Sequence, residues 1–405
     1  MGYFKSAIRG VSWTLALRFF IRGFTIVRTI ILARILLPAQ FGAYAVATIT
    51  LAILELLTET GINVFLIQEQ DNVDKYLNTA WFVSILRGFL VGLLILIFSP
   101  LISNFFHSPD SQILLILIAG VAIIRGFVNP AIVKFQKELK FNKEFAFRGT
   151  LLAIEAIVAI TLAFILRSPI SLAVSLLASA AFEVILSQSL IRPRPKFAFH
   201  KPQFLEVINR GKWVTAAGIF NYLYQNLDNI VVGRLLGVGS LGLYDTSYKI
   251  ASVPVTEFSD ALSRVSFPVY SKIRDDKPRL FRAFIKTTLG LSALVIPFGL
   301  FLFFFPQIII LLLGPNWTPA VPVLRLLSVL GVIRAISGSS SSLFLAANKA
   351  NYLFLVTLAG ISGLAVTIVP LVSKYGLIGA SSSAIFGSLL TLPLFFYYIH
   401  SIFKK

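Results

Sequence analysis

The sequence predicts an all-α membrane protein of about twelve spanning helices, in two parallel six-helix lobes around a central cavity. Three observations predict it: an apolar composition, the even spacing of long apolar stretches, and an internal repeat of period 200. Of the 405 residues, 57% are hydrophobic and only 13% charged, and the mean hydropathy is +0.86. Soluble domains carry about 25% charged residues. A soluble chain this apolar would lack the polar surface to cover its core, whereas a lipid-facing one needs an apolar exterior.

Twelve apolar stretches of spanning length run approximately over 11–33, 44–67, 79–98, 112–130, 147–166, 170–191, 213–236, 242–266, 283–305, 321–345, 352–373 and 378–400. Each covers a bilayer core of about 30 Å at 1.5 Å per residue. The connections are too short to hold a soluble domain. The first stretch resembles a signal peptide but is too long and contains Arg18, Arg22 and Arg28, so an uncleaved first span is expected.

The net charge of +19 raises nucleic acid as a partner. The placement of the charges removes it. With the N-terminus cytoplasmic, the inside segments hold 22 Lys and Arg and the outside loops hold 3. This bias orients the chain with both termini in the cytoplasm, and the basic residues are dispersed over separate inside loops. No cysteine, HExxH, paired-histidine spacing or phosphate-loop motif occurs, so neither a metal nor a cofactor is expected.

The repeat is ungapped. ILARILLPAQFGAYAV at 31–46 recurs as VVGRLLGVGSLGLYDT at 231–246, with Arg34, Leu36, Gly42 and Tyr44 matching Arg234, Leu236, Gly242 and Tyr244. Upstream, Phe4, Ile8, Trp13 and Phe20 match Phe204, Ile208, Trp213 and Phe220. Each copy holds an even number of spans, so both enter from the same side, as a parallel repeat. The lobes are therefore expected at 1–200 and 201–405, joined by the basic, Pro-rich RPRPKFAFHKP.

Nineteen charged residues fall within the spans, too many to face lipid at roughly 2.5–3.5 kcal/mol for each central charge. Arg18 and Arg22 stack at i, i+4, and Arg28 widens them into a basic arc on span 1. In span 7, Asn221, Gln225 and Asp228 form one polar stripe. In span 8, Asp245, Lys249 and Asp260 share a face with Arg264 beside it, and Asp245 and Lys249 can pair. Pro254 is expected to kink span 8, and Pro297 could do the same in span 9. Arginine forks suit phosphate, so Arg18, Arg22 and Arg28, with Arg125, Arg264 or Arg334, are candidates to bind a phosphate-bearing anion. The remaining candidates for a substrate-lining face are Asn221, Gln225, Asp228 and Lys249. Glu55 and Glu59, stacked at i, i+4 in span 2, join Asp245 and Asp260 as candidate coupling or gating carboxylates. The bland alternative is that each charge pairs with a neighbour only to hold helices together.

The segments ARILLPAQFGAYA and LDNIVVGRLLGVGSLGLYDTSYKIASVP resemble the bacterial Wzx-type polysaccharide flippases of the multidrug/oligosaccharidyl-lipid/polysaccharide exporter superfamily. The resemblance implies two six-helix lobes in a V. It implies flipping of an undecaprenyl-pyrophosphate-linked oligosaccharide across the cytoplasmic membrane by alternating access, for lipopolysaccharide or exopolysaccharide synthesis. The energy would come from an ion gradient or potential, with no enzyme activity and no cofactor. Polysaccharide polymerase and glycosyltransferases are the expected protein partners, beside membrane lipids. A drug or metabolite antiporter of the same superfamily would want a net acidic cavity. A membrane glycosyltransferase or polymerase would want charged outer loops, but 99–111 and 306–320 carry one acidic residue, Asp110, and no basic one.

Overall fold

The computed structural model describes residues 20–58, 74–138 and 140–404, and the side chains of all of these except 74, 75, 136, 141, 201–221, 254–256, 260, 261 and 264. The chain forms two compact units, Met1–Tyr222 and Leu223–Lys405. Among the described residues every regular element is helical.

In the first unit, α1 spans 20–35 and α2 spans Pro38–Leu57. Pro38 suits the first turn of a helix, where no amide donor is missed. Gln40 fixes this start: its side-chain oxygen accepts from the Leu37 amide at 2.9 Å, and its amide donates to the Arg167 carbonyl at 2.8 Å. There follow α3 (Asp74–Phe105), α4 (Asp110–Arg125), a single 3-10 turn (Pro130–Val133), the one-turn α5 (Lys134–Lys137), α6 (Phe141–Leu166) and α7 (Ile170–Leu190).

α3 shows the pattern of a lipid-facing helix. Leu86, Leu90, Leu93, Ile97 and Leu101 line its exposed face, while Val91 and Ile95 are buried against Leu114, Leu115, Ile118 and Ala122 of α4. α3 and α4 approach backbone to backbone: a β-carbon at Gly88 would stand 2.7 Å from the Ala122 carbonyl oxygen. Small residues at the seam replace the hydrophobic drive that lipid removes.

The second unit begins inside α8 (Lys201–Ala251), which is two helical limbs broken at Gly237 (φ 80°, ψ 173°). A φ of 80° costs glycine little and other residues much. The turn between α1 and α2 falls at 36–37, so the repeat offset of 200 lands on the same turn in the second copy. A π-helical segment at Pro254–Ser259 interrupts the helix where Pro254 removes a backbone donor, and α9 (Asp260–Lys272) continues it. α10 (Lys277–Phe304) runs through Pro297 without a break. The loop 306–320 holds the eight-residue α11 (Pro306–Leu313) and a 3-10 stretch (Pro315–Ala320) that buries Trp317. Last come α12 (Val321–Ala346) and α13 (Ala350–Phe403).

α13 is a hairpin of two limbs hinged at Gly376 (φ 58°, ψ −135°). Its pairs keep one register. Tyr352 stacks on Tyr398 at 4.2 Å, Thr367 and Ser383 hydroxyls meet at 2.6 Å, and a β-carbon at Gly363 would stand 3.2 Å from the Gly387 α-carbon. In each pair the two residue numbers add to the same total, as an antiparallel pairing about 375 requires.

Seven described helices are long and apolar enough to cross a membrane, the 54-residue α13 counted once. With α8 and α13 each taken as two limbs, the first half offers α1, α2, α3, α4, α6 and α7. The second offers the α8 limbs, the latter continued by α9, then α10, α12 and the α13 limbs. The expected all-α membrane fold is the one observed.

Candidate functional site

The described intramembrane charges separate into closed pairs and open clusters. Arg28 on α1 is closed: its Nη1 donates to Glu155 Oε1 on α6, and both side chains are largely buried. Lys249 pairs with Asp245 at 2.5 Å, as the i, i+4 spacing allows. Arg148 pairs with Glu144 at 2.9 Å, both on α6.

Asp228 lies deep in the second unit and is fully buried. Its Oδ2 accepts from the Tyr244 hydroxyl at 2.9 Å, across the α8 hairpin, and its Oδ1 accepts from the Asn229 amide at 2.9 Å. The tyrosine and the amide supply the donors that a buried carboxylate needs. This is an internal clasp between the two limbs of α8.

On the fourth span of each half an arginine reaches the second and sixth spans. In the first unit Arg125, on α4, stands 3.9 Å from Glu55 of α2 and 3.8 Å from Glu183 of α7. Arg87 of α3 braces the same place: its Nη2 donates to the Glu55 carbonyl and its Nε to the Thr58 hydroxyl at 3.2 Å. In the second unit Arg334, on α12, donates to the Tyr248 hydroxyl of the second α8 limb and to the Ser388 hydroxyl at 3.3 Å on the second α13 limb. Its guanidinium lies 4.8 Å from the Tyr224 ring centroid and 5.8 Å from that of Tyr248, within cation–π range. The Nη2 atom of Arg334 is buried with no hydrogen-bond partner.

Among the predicted residues, Glu55 is thus brought to an arginine, while Arg28, Lys249 and Asp245 are taken up in pairs and Asp228 in a clasp. Gln225 is exposed on the first limb of α8, and Arg22 is half-buried on α1. Arg18 and Glu59 lie outside the described residues, as do the side chains of Asn221, Asp260 and Arg264. Glu183, Tyr224, Tyr248 and Ser388 were not singled out in the sequence. Tyrosine and serine carry no charge to draw attention in an apolar span, and Glu183 has no i, i+4 partner that spacing could reveal.

A family model described as "Polysaccharide biosynthesis protein" matches residues 31–322. The chain belongs to the polysaccharide biosynthesis protein family. The family's match spans both copies of the internal repeat. The lipopolysaccharide biosynthesis protein WzxC of Escherichia coli is 28% identical to this chain over 86% of its length and 72% of the relative. The teichuronic acid biosynthesis protein TuaB of Bacillus subtilis is 25% identical over 86% and 73%. The succinoglycan biosynthesis transport protein ExoT of Rhizobium meliloti is 24% identical over 80% and 66%. Among solved structures, the lipid II flippase MurJ in an inward closed conformation superposes with a TM-score of 0.76, covering 96% of this chain and 88% of that one at 17% identity. An inward-facing multidrug resistance MATE family transporter of the MOP superfamily superposes at 0.71, covering 94% of each at 14% identity. This polysaccharide biosynthesis protein therefore shares their fold and is a multi-pass membrane protein.

Proposed function

We propose that this chain is a flippase that moves a polyprenyl-pyrophosphate-linked oligosaccharide from the cytoplasmic to the outer leaflet of the cytoplasmic membrane, by alternating access, for cell-surface polysaccharide synthesis. One observation carries the reading: a membrane chain of the polysaccharide biosynthesis family keeps guanidinium groups on separate spans of each unit, at a depth where charges are costly and serve function. A glycan leaving the cytoplasm on a lipid carrier must bring its phosphates through that depth. Arginine donates two parallel hydrogen bonds to phosphate and keeps its charge there.

In this reading the lobes are 1–200 and 201–405, both termini are cytoplasmic, and no bond of the substrate is made or broken. Arg18, Arg22, Arg125 and Arg264 are the phosphate-facing group, and Gln225, Asn221 and Tyr224 offer hydrogen bonds and a ring face to the sugars. Arg28 and Lys249, being paired, serve chiefly to set the field. Polysaccharide polymerase and glycosyltransferases are the partners that would consume the product and supply the substrate.

The test is leaflet exchange of a fluorescent polyprenyl-pyrophosphate glycan in vesicles with and without the purified chain. Exchange at least tenfold above protein-free vesicles supports the reading. Exchange at the protein-free rate, with the chain inserted and monodisperse, overturns it.

A further inference from the structure

Arg125 stands between two carboxylates and is closed onto neither. Glu55 Oε1 is 3.9 Å from its Nη1, and Glu183 Oε2 is 3.8 Å from its Nε. Neither carboxylate accepts a hydrogen bond among the described residues, and the Arg125 Nε is buried without a partner. This slackness is particular to the cluster, because Arg28–Glu155 and Arg148–Glu144 in the same unit are both closed to hydrogen-bonding distance.

The remaining charges on the packed helices have other duties. Arg87 of α3 is spent on the Glu55 carbonyl and Thr58. Arg148 of α6 is held by Glu144, although its charge also acts on Glu183, and Arg28 of α1 is held by Glu155. Arg22 and Arg34 are the other described cations on α1. Two carboxylates therefore share one guanidinium, which leaves one negative charge without a contacting cation among the described residues. Holding an arginine at this place does not require an acid in contact with it, since the groups touching Arg334 in the second unit are tyrosines and a serine. A carboxylate at membrane depth that has no hydrogen-bond donor is costly to keep charged. The side chains of Glu55 and Glu183 retain 35% and 25% of their exposure, enough for exchange with water.

We propose that Glu55, Arg125 and Glu183 form a proton-binding site. One proton from water adds to a carboxylate oxygen of either acid. The acid that stays ionised then pairs with Arg125, and the cluster goes from one net negative charge to none. The proton-binding claim stands on this geometry alone, while its use as a driving ion rests on the flippase reading above.

Infrared difference spectroscopy of the purified chain in lipid nanodiscs, stepped between pH values, reads carboxyl protonation directly. The wild type gains a protonated-carboxyl band as pH falls. Glu55→Gln and Glu183→Gln each lose it, because the single remaining carboxylate is balanced by Arg125. Glu138→Gln serves as the control: Glu138 is an exposed loop acid whose carboxyl is held below its usual range by the hydrogen bond from the Lys140 ammonium. No band in the wild type, or a band unchanged in both single variants, overturns the site. In vesicles, an imposed pH gradient changes the wild-type exchange rate several-fold, and the rates of both variants ignore it. If the wild type exchanges no glycan at all, the flippase reading falls, and the infrared result still decides the proton site.

Discussion

Arg125 and Arg334 occupy corresponding spans of the two halves, yet their surroundings differ in kind. The groups in direct contact with Arg334 are neutral: two tyrosine rings, one of whose hydroxyls accepts from it, and the Ser388 hydroxyl, with the charge of the buried Asp228 carboxylate acting on it from farther off. Arg125 meets two acids at 3.8 and 3.9 Å and keeps over a third of its side chain exposed. A buried cation with neutral hydrogen-bond partners has one arrangement, fixed by shape. A cation shared by two acids has several, and their balance shifts with protonation. The duplicated frame thus carries one rigid arginine site and one adjustable site.

The largest way to break this contrast is to remove the rigid arginine. Arg334→Ala strands the Tyr248 hydroxyl and opens a void among Tyr224, Tyr248 and Ser388. The loss should be about 3–5 kcal/mol, the range for breaking a buried charged network. It should be read as a marked fall in the temperature at which the detergent-solubilised protein loses its size-exclusion peak. Arg334→Lys should recover little, since an ammonium cannot serve hydroxyl and ring faces together. Arg125→Ala, at a more exposed and looser site, should cost about 1 kcal/mol or less in the same assay while changing the pH dependence of exchange. A larger loss for Arg125 than for Arg334 would reverse the assignment of rigid and adjustable sites.

Next in size is the hairpin seam of the second unit. A β-carbon at Gly379 would overlap the Leu371 carbonyl oxygen, and one at Gly331 would overlap the Ala251 carbonyl oxygen. Gly379→Ala should cost about 1–3 kcal/mol through forced separation of the limbs. Gly23→Ala in the first unit, where nothing lies within 4 Å, should leave the melting temperature unmoved. Tyr244→Phe removes the side-chain donor to Asp228 and should cost about 1–3 kcal/mol, with Asp228→Asn partly restoring stability to that variant. The smallest expected effect is Thr367→Val. It loses one hydroxyl contact to Ser383 in a seam otherwise held by ring stacking and glycine contacts, about 0.5–1 kcal/mol.

Much of the fold was legible because lipid simplifies the code. Apolar length alone places the spans, and the 200-residue offset places the turn at Gly237 from the turn at Leu37. An interruption at Pro254 was legible from proline's missing donor, but its π-helical form was not. Nor was the short helix α11, since it falls within 306–320, which reads as an outer loop. The site was half legible. Local pairs such as Asp245–Lys249 follow from helical spacing. Arg28–Glu155 joins positions 127 residues apart, and Arg125 meets acids from two other helices, so no spacing rule reaches them. The cage of Arg334 is harder still, because its walls are tyrosines that composition counts as apolar.

The fixed register of α13 bears on how this region is made. Translation delivers the 350–375 limb before the 377–403 limb, so Gly363 enters the bilayer as an open notch. Leu390 and Gly387 fill that notch only when the second limb arrives, whereas Gly360 already has Tyr224 of α8 to pack against. Because the residue sums match along the seam, closure proceeds outward from Gly376 like a zip. A bulky substitution near the hinge would then stall insertion of both limbs, while one near Tyr352 and Tyr398 would only fray the far end.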